Sequence, residues 1–149
     1  MKTFRNILLT ALLVGTLDLT AAIIQFKLTG GDNPLQILRF IASGVFGSAA
    51  FGGGLSMVVW GLLLHYFIAT GWTAAYFVIY PLLSQSSYPL LPGMVYGVVI
   101  WLCMNLVVVP LSHTPPLPPD LLQNVTGILI LILFVGLPIS IIFHRSRVG

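Results

Sequence analysis

Residues 7–26 read ILLTALLVGTLDLTAAIIQF, an apolar run with a single carboxylate, Asp18, inside it. Twenty helical residues reach about 30 Å, which is the thickness of the hydrocarbon core of a bilayer. A charged side chain near the centre of such a helix costs about 3 kcal/mol or more if lipid surrounds it. The stretch therefore predicts a membrane-spanning helix whose acid faces protein and not lipid.

The composition of the whole chain supports the same environment. Of its 149 residues, 58% are hydrophobic and only 6% are charged, whereas soluble domains carry about 25% charged residues. A soluble protein of this size could not cover so much apolar surface with a polar exterior. We therefore predict one integral membrane domain, residues 1–149, with an all-α fold and the lipid bilayer as its surroundings.

Four segments are long and apolar enough to span the membrane. They lie at about 7–26, 57–80, 91–110 and 121–143. Pro81 and Pro110 stand where the second and third segments are predicted to end, and Pro138 should kink the fourth near Phe134 because proline lacks the N–H that a helix needs. The pattern predicts a transmembrane four-helix bundle.

The stretch at about 34–51 predicts one additional helix, which is amphipathic. Asn33, Pro34 and Gln36 have the order of an N-cap, a first-turn proline and a capping-box partner. Apolar residues then share one face and polar residues the other: Ile37, Leu38, Ile41 and Val45 against Gln36, Arg39 and Ser43. The glycines at 52–54 should end this helix, which would lie in the membrane interface or dip into the bundle. The alternative is a longer, tilted second span.

The N-terminus also has features of a secretory signal. MKTFRN followed by ILLTALLVG has the charge and the apolar core of one, and Thr20-Ala21-Ala22 would serve as its cleavage site. Because the apolar run continues to Phe26, we favour a retained first span.

Small and polar residues share one face on each of the first three spans. These faces hold Ala11, Gly15, Asp18, Ala22 and Gln25; Gly61, His65, Ala69, Thr73 and Tyr76; and Gly93, Gly97, Trp101 and Asn105. Small residues let membrane helices approach closely, and polar ones turn away from lipid. We therefore predict helix-packing positions at Gly15, Gly61, Gly93 and Gly97.

Three polar residues of these faces also share a depth. Asp18 and His65 each lie eight residues from the same membrane surface, or about 12 Å, and Asn105 lies about 8 Å from it. We call Asp18, His65 and Asn105 the candidate polar layer. We expect Asp18 and His65 to lie within hydrogen-bond reach, directly or through one water.

Two kinds of function fit this layer. It could form a small conduit that handles protons or a solute, since ionisable residues inside a membrane are functional candidates. Alternatively, the Asp18–His65 pair could be a structural lock worth about 0.6–2 kcal/mol, in a non-catalytic component that binds a membrane partner or forms a homo-oligomer through its glycine faces.

No pattern in the sequence indicates an enzyme. We find no nucleophile triad, phosphate-binding loop or dinucleotide fingerprint, and one aspartate with one histidine is too few for a metal site. We therefore expect no catalytic residues, no cofactor and no metal. The basic residues are scattered and form no stripe, so we expect no nucleic-acid partner.

The last ninety residues resemble a known family. A helix with His65, a proline-ended turn, a helix that opens with glycines and the passage VVVPLSHTPPLPPDLLQNVTG at 107–127 are similar to the YagU-like bacterial inner-membrane proteins, a family of unknown function. The residues that carry the match are His65, Pro110, Leu111, Thr114, Pro115, Pro116, Leu117 and Asn124. The resemblance implies a small four-helix protein of the bacterial inner membrane. It implies no site residues, and this chain lacks a second histidine in its last span.

The distribution of basic residues predicts the orientation. The side that would hold both termini carries Lys2, Arg5, Arg145 and Arg147, whereas the other carries Lys27 and Arg39. By the positive-inside rule both termini are cytoplasmic. Reporter fusions after residue 149 and within the 82–90 connection should both report the cytoplasm, and a periplasmic signal from either would rule out this four-span topology.

Overall fold

The computed structural model describes residues 2–83, 88–116 and 120–148, and these are almost entirely helical. Four long apolar helices and one short helix make up the fold. They are α1, Lys2–Leu28; α2, Leu35–Phe46; α3, Gly54–Leu83; α4, Leu90–Leu111; and α5, Leu121–Arg147. The predicted all-α architecture of four long apolar helices with one additional helix is confirmed.

The four long helices are suited to contact with lipid. Each contains an apolar stretch of at least 18 residues, and only 11–22% of the most apolar window is buried inside the bundle. Large apolar side chains such as Phe67 and Leu55 stand outward, with more than 70% of their surface exposed. A surface of this kind is stable in a bilayer, so the chain is a multi-pass membrane protein.

Prolines end the helices less sharply than the sequence predicts. The second long helix continues through Pro81 to Leu83, and the third continues past Pro110 to Leu111. Wider π-helical segments precede both Pro110 and Pro138, at Met104–Val108 and Leu131–Gly136. Proline lacks the N–H that would bond to the preceding turn. A π-helical turn shifts the hydrogen bonds around this gap, so the helix can continue. The irregularity predicted near Phe134 therefore lies where the sequence places it.

The amphipathic helix is shorter than predicted and turns a different face inward. α2 ends at Phe46, because Gly47 has a φ of 61° and its N–H bonds to the carbonyl of Ser43. A separate single turn, Ala49–Gly52, follows. The buried residues of α2 are Leu38, Ala42 and Ser43, whereas Val45 is exposed. The predicted end at about residue 51 and the predicted faces of Ser43 and Val45 are therefore wrong.

α2 packs beside the first part of α3. A side chain on Gly61 would collide with the carbonyl group of Leu38, so only glycine permits this approach. Gly61 lies seven residues, or about 10 Å, along α3. Twelve residues of helix are about 18 Å long, too short to cross a bilayer. Both connections of α2, to the end of α1 and to the start of α3, lie on the same side of the bundle. α2 is therefore a short helix that does not span the membrane.

Aromatic residues fill the half of the bundle that is nearer the termini. Tyr76, Phe77 and Phe143 are buried there together, and the Tyr76 ring stacks 4.8 Å from Tyr80. The Tyr76 hydroxyl donates to Ser140 Oγ at 2.7 Å. We call Tyr76, Phe77, Tyr80 and Phe143 the aromatic core. It leaves this half of the bundle tightly packed.

Glycines bring α4 and α5 into backbone contact. A methyl group on Gly97 would lie 2.6 Å from Cα of Ile132, and one on Gly93 would lie 2.9 Å from Cα of Leu137. Gly136 faces both glycines from the other helix. The small-residue face of α4 is therefore used within the chain, at the π-helical segment of α5.

We expect Gly97→Leu to destabilise the protein in detergent by at least 1–3 kcal/mol, the usual order of cost for overpacking, because backbone atoms cannot move aside as side chains do. The control is Gly71→Leu, since nothing lies within 4 Å of a Cβ built on Gly71. Thermal unfolding should show a lower midpoint for Gly97→Leu only. Equal midpoints for the two variants would contradict the α4–α5 contact.

Candidate functional site

A cavity of about 580 Å³ occupies the half of the bundle away from the termini. All five helices contribute to its walls. The connection between α4 and α5 lines the end away from the termini with Ser112, Thr114, Pro115 and Asp120, and we call this end the mouth. Its inner boundary includes Val14, Ile100 and Val135, which also belong to the packed interior. The bundle is thus hollow in one half and filled in the other.

The structure brings the whole candidate polar layer to this cavity. Asp18 from α1, His65 from α3 and Asn105 from α4 all line it. Gly15, Ala22 and Gln25 line it as well, so the small-residue face of α1 borders the cavity over this stretch in addition to contacting other helices at Gly15 and Gln25.

His65 bonds to the backbone of α1. Its Nε2 lies 2.7 Å from the carbonyl oxygen of Gly15. A carbonyl oxygen only accepts, so Nε2 carries the proton and Nδ1 is the nitrogen that can take up another. Within the described part of the chain His65 makes no direct hydrogen bond to Asp18, although the two groups interact electrostatically across the cavity wall. The expected contact between Asp18 and His65 is therefore not a direct bond in the described structure, and the alternative contact through one water stays a prediction.

A second hydrogen bond beside His65 joins the same two helices. Thr16 Oγ1 and the Tyr66 hydroxyl lie 2.8 Å apart. A side chain on Gly15 would meet the Tyr66 ring at 3.0 Å, which makes this a close α1–α3 contact. Neither Thr16 nor Tyr66 belongs to the small and polar faces that the sequence predicts for these helices. The sequence signal that could have predicted this bond is that Thr16 directly follows Gly15 and Tyr66 directly follows His65.

Asp18 takes no part in these helix contacts. Its side chain is half-buried at the cavity wall, and no hydrogen bond joins it to any other residue that the structure describes. A carboxyl group has four lone-pair positions for hydrogen bonds. In Asp18 no described residue occupies any of them with a hydrogen bond.

Asn105 holds its place through its own helix. Nδ2 donates to the carbonyl oxygen of Trp101 at 3.0 Å. The side-chain oxygen makes no bond to the described residues and can accept a hydrogen bond from a ligand or water. Trp101 lies one turn earlier on α4 and also lines the cavity.

Polar residues of the α4–α5 connection surround the mouth. The position of Asp120 before an apolar run predicts it as the N-cap of α5. The prediction is confirmed, because Asp120 accepts from the N–H groups of Leu122 and Gln123 at 2.9 and 3.1 Å. The N–H of His113 donates to the carbonyl oxygen of Gly44 and ties the connection to α2. The prolines within residues 112–120 predict a stiff cap over the polar layer. Of that stretch, 117–119 lie outside the described residues, so the cap stays a prediction.

The charge of the cavity wall is one-sided. Two of the three aspartates in the chain, Asp18 and Asp120, line it, and no lysine or arginine does so among the residues that are described. No group of three metal-ligating side chains occurs in residues 2–83, 88–116 and 120–148.

Comparison with models of protein families, with curated proteins and with solved structures found no match to this chain. The resemblance to the YagU-like proteins therefore rests on the residues that carry it and stays a prediction.

Proposed function

We propose that this protein is a small membrane conduit, which takes up a proton or a small solute in its cavity at Asp18. One observation carries this proposal: Asp18 lines a cavity and makes no hydrogen bond to the residues that the structure describes, although an ionisable group inside a membrane is costly. If Asp18 served only to join helices, its carboxyl group would be expected to form hydrogen bonds with a neighbouring helix.

The bonds that join α1 to α3 are made by other groups. His65 donates to the Gly15 carbonyl oxygen, and Thr16 bonds to Tyr66. These two contacts supply the lock for which the Asp18–His65 pair was the candidate. The carboxyl group is consequently available for another task.

Proton handling would use the two ionisable groups of the wall. Asp18 and His65 face the cavity from adjacent helices, and Asp120 is the ionisable group at its mouth. The described residues of α2 and α4 that line the cavity include no ionisable group. A proton that enters from the mouth would therefore meet Asp18 and the Nδ1 position of His65 as its acceptors.

The packed half of the bundle would act as the closed side of the path. The Tyr96 hydroxyl donates to the carbonyl oxygen of Trp72 at 2.6 Å, immediately below the cavity. Passage towards the termini would require this contact and the aromatic core to part. Such a conformational change is the usual requirement of alternating access.

The scaffold alternative has less support. The glycines proposed as an oligomer face approach other helices of the same chain, as Gly97 does at Ile132. We further propose the bacterial inner membrane as the location, with both termini in the cytoplasm, on the basis of the family resemblance and the basic residues.

The test measures proton flux across the membrane of liposomes that contain the protein, driven by a pH gradient. We expect Asp18→Asn to assemble with nearly normal thermal stability and to lose at least 90% of pH-driven flux, because an amide keeps the shape but cannot exchange a proton at this site. Asp32→Asn is the matched control, since Asp32 is exposed in the α1–α2 connection. Retained flux in Asp18→Asn, or equal losses in both variants, would refute the proposal.

A further inference from the structure

We propose that the cavity binds an organic cation, with the Asp18 carboxylate as the counter-charge and the rings of Trp72 and Trp101 as the apolar and aromatic walls. The inference rests on the proposed function, because it assigns a class of solute to the same cavity. It adds a prediction about equilibrium binding that can be tested without measuring transport.

The sign of the charge comes from the distribution of ionisable groups. The chain as a whole carries a net charge of +3, yet the described cavity wall has acids and no lysine or arginine. The Asp120 carboxylate already caps α5, where the helix N-terminus offsets part of its charge. Among the described residues no helix N-terminus and no hydrogen bond offsets the Asp18 carboxylate, although His65 interacts with it electrostatically. A cation in the cavity would therefore interact most strongly at Asp18. An anion would meet repulsion and no positive side chain.

The organic character comes from the aromatic wall. Trp72 lies two turns beyond His65 on α3, and Trp101 faces the same cavity from α4. Tryptophan is the side chain whose ring attracts cations most strongly, and the attraction grows when water is excluded. Phe40 and Met104 extend the apolar part of the wall. These surfaces match a cation that carries alkyl or aryl groups.

A bare metal cation fits the wall less well. Divalent ions take six or more oxygen ligands or a tetrahedral set of nitrogen and sulfur. Asp18 is the one carboxylate deep in the described cavity, and no group of three metal-ligating side chains exists in the described parts of the chain. A volume of about 580 Å³ is instead typical of sites for drug-sized organic ligands.

The natural tryptophans provide a direct reporter of binding. The chain has three of them. Trp72 and Trp101 line the cavity, whereas Trp60 packs against Phe46 outside it and is 48% exposed. In a Trp60→Phe variant, all tryptophan fluorescence therefore comes from the cavity wall.

The experiment titrates detergent-purified Trp60→Phe protein with tetraphenylphosphonium and, separately, with tetraphenylborate. The two ions have nearly the same size and shape and opposite charges, and titrating each into detergent micelles without protein corrects for its own partition. We expect a saturable fluorescence change with the cation, and affinity for the anion at least tenfold weaker. Adding Asp18→Asn should weaken cation binding about tenfold, and adding Asp18→Glu should largely preserve it.

Equal affinities for the two ions, or no saturable change with the cation, would overturn the inference. The comparison of ions needs no substitution at Asp18, so it remains decisive even if Asp18→Asn fails to fold. Cation binding unchanged by a folded Asp18→Asn would also overturn it, because the charge would then come from elsewhere.

The outcomes separate this inference from the proposed function. Cation binding without any flux in liposomes would support the site and refute the conduit. Flux that depends on Asp18 without cation binding would support the conduit and refute the solute class.

Discussion

A carboxyl group inside an apolar bundle is the constraint from which the rest of this structure can be understood. Lipid cannot solvate Asp18, so the helix that carries it must turn that face inward. There the group needs either a tight set of protein partners or a polar space. The chain provides the second: Asp18 lines a cavity, while neighbouring residues make the helix contacts.

This solution divides the bundle into two halves with different packing. Near the termini, aromatic rings and the Tyr76–Ser140 hydrogen bond fill the interior. Away from the termini, α2 stands beside α3 and widens the bundle around the cavity. The glycine contact between α4 and α5 holds these two helices in backbone contact. This contact anchors both helices where they continue into the walls of the cavity.

Periodicity and local chemistry account for what could be predicted from the sequence. Twenty-residue apolar runs gave the four long helices, and the Asp120 cap follows from its position before an apolar run. The three-residue spacing placed Asp18, His65 and Asn105 towards a common interior. The same reasoning missed the hydrogen-bond partner of His65. Residue spacing shows which side chains share a face of a helix, but it does not show which atom of the neighbouring helix each side chain meets. It also missed the end of α2, which depends on the left-handed backbone of Gly47.

The central claim is that the Asp18 face of α1 borders an aqueous cavity and not lipid. Cysteine reactivity in liposomes tests it most directly, in a Cys103→Ala background. Ala22 lines the cavity one turn from Asp18, whereas Ile24 lies at similar depth on the outward face with 53% exposure. We expect a charged thiosulfonate reagent to modify Ala22→Cys at least tenfold faster than Ile24→Cys, because thiols react as thiolates in water. Equal rates, or an unreactive Ala22→Cys, would contradict the cavity.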